Sequence, residues 1–109
     1  MLDYIVVGLG LSGIAISQRL EDRNKKFVVF EDNSQKSSLV AGGLFNPVIL
    51  KRFTLAWNAN EQMKIALPFY KEMETKLQAK ILYPVEIYRK FFSAEEQNNW
   101  FGAADKPLL

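Results

Sequence analysis

Three glycines and one carboxylate are the residues of this chain whose types and spacing can do chemistry: Gly8-x-Gly10-x-x-Gly13, followed by Glu31. Glycines at this spacing make a backbone cradle for phosphate. Gly8 permits a tight turn, Gly10 lets a pyrophosphate approach the main chain, and Gly13 lets a following helix lie close to the strand before it. Free N–H groups at that helix start, near Leu11 and Ser12, point at the phosphates, and the helix dipole favours their negative charge. Glu31 stands eighteen residues past Gly13, where a dinucleotide fingerprint needs an acid for ribose hydroxyls.

These residues need elements to hold them. Tyr4 to Val7 is an apolar run that reads as a parallel strand with both faces covered. Ile14, Ala15 and Leu20 supply the apolar positions of a helix running to about Asp22. Asn24-Lys25-Lys26 makes a polar turn, and Phe27 to Phe30 reads as a second buried strand ending at Glu31. Strand, glycine turn, helix, strand and acid follow in order. A glycine turn in an ordinary βαβ unit is the plainer alternative, and the ordered flanks favour the dinucleotide fingerprint.

Composition narrows the function classes. The 109 residues have room for one small domain, and 49% hydrophobic with 24% charged content is that of a globular protein. A net charge of +2 gives no reason to expect nucleic acid or an acidic membrane surface. With no Cys and no His, the chain has no thiolate or imidazole metal site, no Cys nucleophile, no His base and no disulfide. Absent disulfides fit a cytoplasmic protein. Ile5 to Ile16 lacks a basic n-region, has Asp3 ahead of it and is too short to span a bilayer, so neither a signal peptide nor membrane insertion is expected.

After Glu31 comes the polar, turn-rich loop Asp32 to Ser38, then Leu39-Val40-Ala41-Gly42-Gly43-Leu44-Phe45-Asn46-Pro47. Paired glycines in an apolar run mark either a plain loop or backbone that approaches a ligand or another backbone closely. The stretch from Ser37 to Pro47 resembles the second cofactor segment of the D-amino-acid oxidase and glycine oxidase family of flavoproteins. There a Thr/Ser-rich piece followed by Val-Ala-Ala-Gly-Leu-aromatic-x-Pro curls past the flavin. The resemblance covers residues 3 to 57 well and the rest loosely. It implies that Ser37, Ser38, Ala41, Gly42, Gly43 and Leu44 line FAD, together with Gly8, Gly10, Leu11, Ser12, Gly13, Glu31 and Asp32. Leu39 stands where some members carry an acid.

Lys51 and Arg52 read as solvated loop charges; the sharper alternative is that one holds an anionic part of cofactor or substrate. From Asn58 to Leu77 an apolar stripe (Met63, Leu67, Tyr70, Met73, Leu77) predicts a core-facing helix, with Asn58 or Asn60 as N-cap and a kink or break at Pro68. Lys80 to Phe92 alternates as a half-buried strand does, with Val85, Ile87 and Phe91 inward. By the resemblance Tyr88 and Arg89 are within reach of a substrate carboxylate, although a surface strand is the plainer reading. Ser93-Ala94-Glu95-Glu96 forms a capping box for a short helix towards Trp100. The closing run Gly102 to Leu109 has no stop of the kind a compact domain needs.

The expected fold is therefore α/β: a Rossmann-type FAD-binding βαβ unit with an incomplete parallel sheet over residues 1–57, then the start of an α+β substrate domain over 58–109. The resemblance implies an FAD-dependent oxidoreductase that oxidises a small amine or amino acid by hydride transfer, giving an imine. In that reading the chain is the N-terminal part of a longer oxidase, inactive by itself and prone to self-association through its open sheet edge. Two alternatives stay open: an NAD-dependent dehydrogenase with the same unit, and a non-catalytic nucleotide-binding remnant. Glu31-Asp32 argues against the 2′-phosphate of NADP in either case.

Overall fold

A computed structural model describes residues 1–34 and 36–105. Gln35 of the polar loop and the last four residues of the closing run lie outside the described residues. The chain is mixed α/β and divides into two compact units, Met1–Leu44 and Phe45–Leu109.

In the first unit, β1 (Tyr4–Val7) and β2 (Phe27–Phe30) pair in parallel, with Tyr4 opposite Phe27 and Val7 opposite Phe30. The helix α1 (Leu11–Asp22) connects them, as a parallel pair requires. Asp3 fixes the register at one end: its N–H donates to the Lys26 carbonyl (2.7 Å) and its carboxylate accepts from the Lys26 N–H (2.9 Å). The polar turn forms as expected, with Asn24 at φ 52 and the Lys25 N–H donating to the Leu20 carbonyl. Covering both strand faces does not occur. Val6 is buried at 8%, but Ile5 and Val7 are 64% and 82% exposed, because a two-stranded sheet with one crossover helix has one face to cover. Where the expected loop, Asp32 to Ser38, meets the apolar run, Ser37–Val40 winds into one helical turn, α2.

The second unit opens with a hairpin that periodicity does not reveal. β3 (Val48–Ile49) pairs antiparallel with β4 (Thr54–Leu55), each strand only two residues long. Phe53 ends its turn in the left-handed region (φ 47) and is 2% exposed, the largest fully buried side chain described. Trp100 meets it edge-on at 5.0 Å between centroids and Phe91 at 6.4 Å. Such pairs add about 0.5–1.5 kcal/mol each beyond the area they bury.

The long helix α3 (Ala59–Leu77) follows. Pro68 does not end it; the buried Phe69 beside it, stacked edge-on with Tyr70 at 5.5 Å, anchors the turn that lost its N–H. Asn58 occupies the N-cap position in the left-handed region (φ 53), where its side chain makes no cap bond; Asn60 lies inside the helix. Residues 80–92 form no strand. Backbone donors at the two ends of this segment go to carboxylates instead: Glu74 Oε1 accepts from the Ile81 and Leu82 N–H groups, both at 2.8 Å, and Glu96 Oε2 accepts from Phe92 N–H at 2.9 Å. Pro84, which has no N–H, weakens a ladder further. The helix α4 (Ala94–Ala104) starts at Ser93, whose hydroxyl accepts from the Glu96 N–H at 3.1 Å. The reciprocal half of the box goes to Phe92 rather than Ser93. No helix of the described residues is long and apolar enough to cross a membrane.

Candidate functional site

The apolar run of β1 stops at Gly8, whose φ of +89 lies where a side chain is strained, so the chain turns there without cost. Gly10 then stands at the N-cap of α1 in extended conformation. Gly13 is the residue that cannot be anything else. A Cβ added to it would lie 2.1 Å from the Gly8 carbonyl oxygen and 3.8 Å from a Val6 methyl. The helix can lie against the turn only because that atom is missing. The first intrahelical bond runs from Ile14 N–H to the Gly10 carbonyl at 2.9 Å, which leaves the amides of Leu11, Ser12 and Gly13 ahead of the helical ladder.

Two segments converge on this turn. Glu31, just past β2, accepts the Leu9 N–H with Oε2 and the Asn33 N–H with Oε1 (2.7 Å). Its carboxylate therefore bridges the glycine turn and the loop after β2. An ionised carboxylate has about four lone-pair sites, so acceptor capacity remains for hydroxyls of a ligand. From the other side, Ser38 in α2 brings its hydroxyl to 3.5 Å from the Leu11 N–H, and a Cβ on Gly10 would lie 3.4 Å from the same oxygen. Gly10, Leu11, Glu31 and Ser38 are all exposed, so the turn is open to a ligand.

The remaining expected residues are not gathered so closely. Asp32 turns into its own loop, where the Ser34 hydroxyl and then the Ser34 N–H (2.9 Å) hold its carboxyl below the usual value. Ser12, Ser37, Ala41 and Leu44 are exposed. At Gly42 and Gly43 an added Cβ would meet nothing within 4 Å, although Gly43 has φ +69. Close approach of another backbone does not account for this glycine pair. In the second unit, Arg89 is committed to Glu96, its Nε 2.9 Å from Oε1, and the Tyr88 hydroxyl donates to Glu86 at 2.9 Å. Among the described residues no group of three or more His, Cys, Asp or Glu side chains is placed to hold a metal.

Sequence reasoning passed over Leu9 and Asn33, whose amides anchor Glu31. A signal was available: an acid ending the strand beside a glycine turn has unpaired turn amides within reach. No family model matches the chain, and no solved structure matches it.

Proposed function

We propose that the glycine turn, Glu31 and the Ser37–Leu44 segment form the dinucleotide site of a Rossmann-type unit, and that the chain is the FAD-binding part of a flavin-dependent oxidoreductase acting on an amine or amino acid. One observation carries this reading: the Glu31 carboxylate and the Ser38 hydroxyl approach the same glycine turn, from the end of β2 and from α2. The amides of Ser12 and Gly13, beside the Leu11 amide that faces the Ser38 hydroxyl, supply donors for pyrophosphate, and the α1 dipole adds about half a positive charge at that end. Glu31 supplies acceptors for ribose hydroxyls. Its anchoring by Leu9 and Asn33 fixes the carboxylate before the ligand arrives, which lowers the ordering cost of binding. The open glycine pair Gly42-Gly43 leaves main chain free for an approaching ring. A bound flavin supplies the hydride acceptor, and the protein supplies position, charge and exclusion of water.

An NAD-dependent dehydrogenase shares the turn and the acid. The approach of Ser38 to Leu11 favours FAD, because it brings the second cofactor segment to the turn. Titration of the protein with FAD and with NAD, followed by flavin absorbance and quenching, separates the two. Saturable FAD binding with a perturbed flavin spectrum and no binding of NAD is expected. Binding of NAD alone would replace this reading with the dehydrogenase, and binding of neither would remove the site. Turnover against a panel of amino acids, run on FAD-loaded protein, then tests the oxidase itself.

A further inference from the structure

Lys51 and Arg52 lie in the turn between β3 and β4, and the Arg52 N–H donates to the Ile49 carbonyl at 3.0 Å. Their position is not loose. The next residue is Phe53, buried to 2% and clamped edge-on by Trp100 of α4. This clamp sets the two cations against the later turns of α4, and between them lies an open surface cavity of about 460 Å³. Its walls are Lys51, Arg52, Asn98, Asn99, Gly102 and Ala103. Two cations and two carboxamides line it, and among the described residues no carboxylate does.

Lys64 pairs with Glu61 at 2.8 Å and Arg89 pairs with Glu96, whereas neither Lys51 nor Arg52 has an ion pair among the described residues. Lys90 of this unit also has no ion pair among the described residues; what sets Lys51 and Arg52 apart is that they are adjacent and line one cavity. Complementing the C-terminus of α4 does not use up the two charges. That end carries about half a negative charge, against two full positive ones. The surplus calls for an anion. A guanidinium fork matches phosphate oxygens bidentately, an ammonium adds a point charge, and carboxamides donate to oxygens or accept from hydroxyls. A phosphomonoester dianion matches two cations, where a monocarboxylate leaves one unbalanced. The volume exceeds that of a phosphate alone, so an organic part can lie beside the phosphate in the open cavity.

We propose that this cavity binds a small phosphomonoester, with its phosphate between Lys51 and Arg52 and its organic part against Asn98, Asn99 and Gly102. The site lies within the second unit, whereas the glycine turn belongs to the first, and it does not depend on the flavin reading. Phenyl phosphate is the probe, and the side-chain carboxamide signals of Asn98 and Asn99 in ¹⁵N-labelled protein are the readout. Saturable shifts that weaken with added salt are expected. Lys51→Gln with Arg52→Gln should weaken binding tenfold or more. Gly102→Leu fills the cavity while keeping both charges; an added Cβ there meets nothing within 4 Å, so the variant should fold and lose the response. A response that does not saturate, an equal response to benzoate, or unchanged binding in the double variant or in Gly102→Leu overturns the proposal.

Discussion

The two units are built by opposite means. In Met1–Leu44 the organising contacts are backbone ones: parallel pairing of β1 with β2, a turn that needs φ +89 at Gly8, and a helix seated where Gly13 lacks a Cβ. In Phe45–Leu109 the regular backbone pairing amounts to two residues per strand, and side chains do the joining. Phe53, Phe91 and Trp100 come from three separate stretches, and carboxylates from α3 and α4 hold the backbone at either end of residues 80–92. Main-chain geometry makes a turn that presents amides; side-chain packing makes a wall that presents whatever flanks it.

The sharpest way to break this comparison is to remove one anchor from each unit. Phe53→Ala deletes a fully buried ring and leaves a cavity between Phe91 and Trp100, at a cost of about 3–5 kcal/mol. Gly13→Ala forces a methyl into the Gly8 carbonyl, and the helix must shift away, at about 3 kcal/mol, the upper end of overpacking costs. Urea unfolding followed by Trp fluorescence reports the second unit, where Trp57 and Trp100 both lie, and amide exchange along β1 and β2 reports the first. The expected result is local: each variant loosens its own unit far more than the other. Equal loosening of both units by either variant would erase the distinction drawn between them.

A smaller effect is expected at Glu31, and it reads ligand affinity. A carboxylate hydrogen-bonded to ribose contributes about 1.5–3 kcal/mol. Glu31→Ala should therefore weaken FAD binding about tenfold or more in a flavin titration, and unchanged affinity removes Glu31 from the site. Far-ultraviolet circular dichroism of the variant should change little, since the bonds lost are those to Leu9 and Asn33 in exposed turns.

Legibility in the sequence follows the same division. The bounds of β1, α1 and β2, and the helical start at Ser93, were readable because each depends on residues close in sequence: an apolar run, a glycine spacing, a Ser three before a Glu. The failures are non-local. The alternation at Val85, Ile87 and Phe91 promised a strand, but a strand exists only where another offers its edge, and the Glu74 and Glu96 carboxylates took the donors at the ends of that segment. The hairpin at 48–55 was missed because its two-residue strands carry no period, and what fixes it is Trp100, far along the chain. At the candidate site the glycines and the acid were legible as types. The convergence of Ser38 and Glu31 on one turn is a tertiary fact, and no spacing rule contains it.

The smallest expected effect is the acid response of the carboxyl contacts in the two units. The Glu96 carboxyl is held below its ordinary value of 4.5, first by the Phe92 N–H and then by Arg89. The Glu74 carboxyl is lowered as well, by the N–H groups of Leu82 and Ile81. For a group with a depressed folded value, the stabilisation is fully present above the unfolded value and disappears as pH falls through the folded one. The second unit should therefore begin to loosen below about pH 4.5, starting at the Glu74 contacts with Ile81 and Leu82 and the Glu96 contact with Phe92. In the first unit the Asp32 carboxyl is lowered as well, from an ordinary value of 3.8, so the Ser34 contact is lost only as pH falls below that. Amide chemical shifts followed from pH 6 downward read each contact separately: Ile81 and Leu82 report Glu74, Phe92 reports Glu96, and Ser34 reports Asp32. Glu96→Gln keeps an acceptor for Phe92 without a titrating group, so the Phe92 signal in that variant should no longer move in this window. Persistence of the same midpoint at Phe92 in Glu96→Gln would show that acid acts on this unit through other groups.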